Sequence, residues 1–230
     1  MTRSELTPPA MRAVTGSRVV TTIVLAGMLG LAAIAWVATV RQMSGMDMGT
    51  ATQLGSFGFF IAIWVAMMAG MMLPGAAPAV LRHLHATGRL GTVPVYVVSY
   101  LAVWTLVGIG AYSLYQPHGT AAAGAIVIVA GLYELTPIKR HSRVRCQESV
   151  RTGLGFGVAC LGSSIGLMAV LLAVGVMSIT WMIVIGAVVL GQKLLPPKIA
   201  IDVTLALAII GFGILIIASP TTIPGLMPSM

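Results

Sequence analysis

The stretch WVAMMAGMMLPG, residues 64–75, places four methionines within six positions. A thioether is a soft, neutral ligand that suits Cu(I) and few other biological cations. On a helix, Trp64, Met68, Met71, Met72 and Gly75 share one face, and Met67 borders it. Two or three thioethers on such a face can hold a Cu(I) ion or pass it along. The same side chains also serve as adaptable filler in an apolar core. Pro74 removes a backbone donor and is expected to kink the helix near one end.

A second methionine group, QMSGMDMGT at residues 42–50, carries Met43, Met46 and Met48 beside Asp47. It is expected in an outer loop, where a solvated chain gains little from methionine. Thioethers there bind Cu(I) without losing a proton, unlike cysteine. Met227 and Met230 fall on the same side.

The third group is GLYELTPIKRHSRVRCQES, residues 131–149. Glu134 lies inside an apolar run. An ionisable group at membrane depth is expensive and faces a partner or a cavity. Lys139 and Lys193 are the expected partners, unless the side chain simply reaches the interface. The basic run after it reads as a topology determinant facing anionic lipid.

Weaker patterns add little. His83 and His85 read as a solvated loop pair. GSSIG, residues 162–166, matches a nucleophile pattern that needs a strand–turn–helix elbow, and here it lies in an apolar run. Asp202 is expected at the inner interface beside Lys198.

The elements that must position these residues are membrane helices. The 230 residues are 58% hydrophobic and 8% charged, far below the roughly one quarter charged of soluble domains. Mean hydropathy is +1.01. Seven runs approach the roughly 20 apolar residues that cross a bilayer, at about 19–40, 54–80, 93–115, 120–138, 153–176, 178–195 and 199–219. Helices are required because lipid cannot satisfy free backbone groups. The expectation is an all-α, polytopic transmembrane bundle of about seven spans. It comprises a basic lead-in (1–18), one helical domain (19–219) and a short outer tail (220–230). The lead-in and first run read as an uncleaved first span, without a signal-peptide cleavage site.

With the N-terminus cytoplasmic, 12 of the 13 Lys and Arg fall in inner loops and only Arg41 falls outside. The net charge of +8 thus reflects topology and does not call for nucleic acid. The C-terminus is then extracytoplasmic, and the expected location is the bacterial inner membrane. Two cysteines, Cys146 and Cys160, make no disulfide framework. The small residues of GLGFGVACLGSSIG allow close helix approach, which places this segment among other helices.

Three segments, WVAMMAGMMLP, YELTPIKRHSRVRC and CLGSSIGLMAVLLAVGVMSITWM, together resemble the bacterial predicted metal-binding integral membrane proteins known as domain-of-unknown-function 2182. The resemblance covers about residues 55–198. Family members usually carry Gln where Glu134 stands, and Cys where Ser142, Ser163 and Ser164 stand. An acid usually stands where this chain has Gln192. Three thiols and one carboxylate of that pattern are therefore replaced, while Met67, Met68, Met71 and Met72 remain.

The expected function is the handling of a soft metal: Cu(I) binding, relay or transport. The expected contacts are Met43, Met46, Met48, Met68, Met71, Met72, Glu134, Cys160 and Met168, with copper the only cofactor. The alternative is a non-catalytic accessory or assembly subunit of a larger membrane complex, such as a copper-dependent monooxygenase or oxidase. No nucleophile–base pair or His/carboxylate set points to an enzyme. The expected partners are the lipid bilayer and other membrane subunits or further copies of this chain.

Overall fold

A computed structural model describes residues 9–43, 55–115, 119–148, 152–175, 178–196 and 199–219. They form eight helices: α1 (Pro9–Met43), α2 (Phe57–Thr87), α3 (Thr92–Leu114), α4 (Thr120–Glu134), α5 (Pro137–Gln147), α6 (Gly153–Gly175), α7 (Ile179–Leu194) and α8 (Ile199–Ala218). No strand occurs among the described residues. Met46, Met48, Lys198 and the tail at 220–230 lie outside them.

Each of the seven apolar runs contains one helix, but they differ in reach. Five helices are long and apolar enough to cross a membrane: Arg18–Met43 within α1, then α2, α3, α6 and α8. The 15 residues of α4 and 16 of α7 give about 22–24 Å at 1.5 Å per residue, short of a ~30 Å hydrocarbon core. Only with α5 does α4 form a sixth candidate span, and that pair is bent by 65°.

The bend departs from the expected run 120–138, and Pro137 explains it. A residue before proline is pushed out of the helical region, and Thr136 is extended at φ −72°, ψ 146°. Thr136 then caps a new helix: its hydroxyl accepts from the Lys139 amide, with Pro137 in the first turn. The basic segment is therefore the amphipathic helix α5, with Arg140 and Arg145 exposed on its outer face. It buries Lys139, Arg143 and Cys146, spaced four and three apart on one face.

The small residues of α6 place it at the centre, packed on α3, α4, α5 and α7. A Cβ on Gly153 would stand 2.2 Å from the Tyr96 carbonyl oxygen, and one on Gly157 would press on Val103, so glycine lets α3 close in. On the other flank Gly162 faces Ser142 of α5, and the Tyr133 hydroxyl donates to the Gly162 carbonyl at 2.7 Å. The tightest pair is α4 with α8, where a Cβ on Gly213 would stand 2.9 Å from the Gly124 carbonyl oxygen.

The starts of α3, α6 and α8, the ends of α2, α4 and α7, and α5 gather at one end of the bundle, which carries most of the basic residues. Thr21 near the apolar start of α1 joins them by a 3.2 Å hydrogen bond to His85. The outward faces are apolar, with Ile34 and Val95 each 69% exposed.

Candidate metal centre

Three helices, α2, α5 and α6, bring three sulfur atoms to the basic end. Cys160 comes from α6 and is fully buried. Because Gly153 and Gly157 let α3 approach, the Tyr100 hydroxyl reaches the Cys160 sulfur at 3.2 Å. Cys146 comes from the last turn of α5, and its thiol lies near that of Cys160. Both thiols are free. Lys193, at the end of α7, reaches past Gly75 of α2. Its Nζ donates to the Met72 sulfur at 3.4 Å and to the Tyr100 hydroxyl at 3.3 Å, and it lies near Cys160. Gly75 is required for this path, since a Cβ there would stand 2.5 Å from Lys193 Cδ.

Cys146 is held by ion pairs on its own helix face. Lys139 of α5 binds the Glu134 carboxylate, and Arg143 binds Asp202 of α8. Lys139 also lies 3.9 Å from Asp202. Arg143 donates further to the carbonyls of Gln192 (3.0 Å) and Leu195 (3.3 Å), and Gln192 donates to Glu134 at 3.0 Å. Buried charges persist only when paired and hydrogen-bonded, and this network satisfies that demand. It fixes the rotation of α5, and so points Cys146 at α6. Asp202 therefore pairs with Arg143 and Lys139. Of the two partners expected for Glu134, Lys139 takes the role while Lys193 turns to the sulfurs.

The expected contacts divide accordingly. Met72 and Cys160 stand at the centre. Met68 is buried one turn deeper, about 6 Å along α2, and Met168 lies about 12 Å along α6 from Cys160, too far to share an ion with it. Met71 packs towards Gly186 of α7. Buried residues occupy every side of α2 at this level, so the expected methionine face is not distinct from its surroundings. Met43 ends α1 and is buried, so it belongs to a helix and not to a solvated loop. Glu134 directs one oxygen to Lys139 and Gln192, and leaves the other buried without a partner. His83 and His85 bond separately to Thr92 and Thr21.

Sequence reasoning left out Cys146, Tyr100 and Lys193. The signal for Cys146 was the Pro137 break, which turns the chain back so that residues 146 and 160 meet. Ser163 supports the pair: its hydroxyl donates to the Cys160 carbonyl at 2.8 Å and lies within reach of Cys146. Cys146 and Lys193 also line an open vestibule of about 330 Å³, with Arg82, Gln147, Phe156 and Pro78.

The donor set is chemically selective. No three His, Cys, Asp or Glu side chains converge on a metal position among the described residues. Two thiols and a thioether remain, a soft set that selects Cu(I) over hard cations. A Cu(I) ion on two thiolates carries a net charge of −1. Lys193, which has no carboxylate partner among the described residues, stands beside these sulfurs with a positive charge that would balance it.

A family model described as PpoB2, copper chaperone, matches residues 61–216, more than half of the chain. The matched span contains Met72, Cys146, Cys160 and Lys193 and leaves out Met43, Met46 and Met48. No curated protein and no solved structure matches.

Proposed function

The chain belongs to the PpoB2 copper chaperone family, and from that premise we propose that it is a membrane-embedded Cu(I) carrier. Copper is its cargo, taken up at the basic end by Cys146, Cys160 and Met72. The observation that carries this reading is the meeting of the two cysteine thiols beside Lys193 and Met72. Loading replaces the two thiol protons with one Cu(I). Lys193 neutralises the product, Tyr100 holds Cys160 in place, and α5 holds Cys146. Met68 and Met168 continue the buried sulfurs away from the basic end and give the ion soft stations for a relay. By the positive-inside rule the loading end faces the cytoplasm of a bacterial inner membrane. The recipient is a copper-dependent membrane enzyme, for which this chain acts as a non-catalytic assembly partner.

Titration of the detergent-purified protein against a coloured Cu(I) chelator tests this. One Cu(I) per chain is expected. Cys146→Ser and Cys160→Ser each weaken binding by about a hundredfold or more, and Met72→Leu by about tenfold. The Met43/Met46/Met48→Leu variant retains the site. Copper affinity that survives loss of both cysteines would refute the assignment.

A further inference from the structure

The vestibule has a composition that the metal alone does not explain. Among the described residues its charged lining is cationic, Arg82 from α2 and Lys193 from α7, and includes no carboxylate. The buried carboxylates nearby, Glu134 and Asp202, are taken by Lys139 and Arg143. Arg82 forms no ion pair among the described residues, and its Nε is buried without a partner. The Tyr96 hydroxyl, 3% exposed, also lacks a partner. It lies near Arg82, Cys146 and Cys160. Two cations without a carboxylate partner and the orphaned Arg82 Nε at one cavity call for an anion. Phe156, Leu194, Pro78 and Pro196 form apolar walls that strengthen its attraction.

At about 330 Å³ the cavity is at the small end of ligand pockets, which run from about 300 to 1,000 Å³. It admits a small molecule and not a folded donor protein. Cys146 lines it and contacts Cys160 behind, so whatever enters meets a thiol first.

We propose that this vestibule docks the copper donor, a small anionic thiol that arrives carrying Cu(I) and presents its carboxylates to Arg82 and Lys193. The proposal rests on the copper-site reading above. Transfer is a ligand exchange without redox change. The Cys146 sulfur forms a bond to Cu(I), the donor's sulfur–copper bond breaks, and the Cys146 proton leaves on the donor thiol. Cys160 then bonds to the ion as the second ligand, its proton leaving to water in the open vestibule, while the Cys146 bond is kept.

The test measures the rate of Cu(I) transfer to the full chain from two donors at low salt. One is Cu(I)–glutathione, which carries carboxylates; the other is Cu(I)–acetonitrile, which has none. Arg82→Gln is expected to slow transfer from glutathione about tenfold or more, and to leave the acetonitrile rate and the equilibrium affinity unchanged. Arg82→Lys, which keeps the charge, restores the glutathione rate. Equal slowing with both donors, or no slowing with either, overturns the proposal. So does an Arg82 effect that appears only when phosphatidylglycerol is added, which assigns the cation to a lipid headgroup. A wild-type chain that takes no Cu(I) even from acetonitrile instead removes the copper site itself.

Discussion

The pair of Glu134 and Lys139 offers a sharp measurement, because both side chains are 0% exposed. In Glu134→Leu the Lys139 ammonium keeps only Asp202, at 3.9 Å and already bound by Arg143. An uncompensated buried charge of this kind costs about 3–5 kcal/mol. Lys139→Leu leaves the buried Glu134 carboxylate with the Gln192 amide but no cation, and carries a similar loss. The double variant removes both charges. It leaves Gln192 Nε2 without its acceptor, a loss of about 1–3 kcal/mol. The double variant is therefore expected to be more stable than either single one. At about 2–4 °C per kcal/mol, each single change lowers Tm by roughly 6–20 °C. Thermal unfolding in detergent, followed by circular dichroism, gives all three values. Losses that add in the double variant would show that the two charges do not share a buried pair, and the account of how α5 is held would fail with them.

Two further outcomes follow from glycine positions. Gly213→Val should loosen α4 from α8 and cost about 1–3 kcal/mol, because its Cβ would meet the Gly124 carbonyl oxygen at 2.9 Å. Gly211→Val, two residues earlier with nothing within 4 Å, should be nearly neutral in the same melt. Gly75→Ala should displace Lys193 from Met72 and Tyr100, and weaken Cu(I) binding about tenfold in chelator competition while the fold persists. Unchanged affinity there would separate Lys193 from the metal centre.

Much of the fold was legible because lipid imposes simple rules. The apolar runs mark the helices, and the glycines around Cys160 mark the helix that others approach. Met72 and Cys160 stood out by residue type. What stayed hidden depends on pairing across the chain. A run such as KRHSRVR reads as a surface segment until Glu134 and Asp202 are seen to neutralise two of its charges. Asp202 lies 59 residues beyond Arg143, and no local pattern connects them. Cys146 was hidden for the same reason, since its position follows from the rotation those ion pairs impose. The methionines of α2 misled in a smaller way: helical spacing defines a face, but a helix packed on all sides has no single functional one.

The dependence of α5 on Asp202 also orders the protein's biosynthesis. When α5 leaves the ribosome, Glu134 is already available to Lys139, but the carboxylate that takes Arg143 has not been made. The segment is too polar to enter lipid by itself, so it must wait at the aqueous surface with Cys146 still outside the bundle. Only when α8 inserts and presents Asp202 does α5 dock and the second thiol reach Cys160. A nascent chain that stops short of α8 thus holds one cysteine in place and the other adrift. On the copper-carrier reading, a chain that lacks α8 would bind Cu(I) poorly, because α8 brings the second thiol into place.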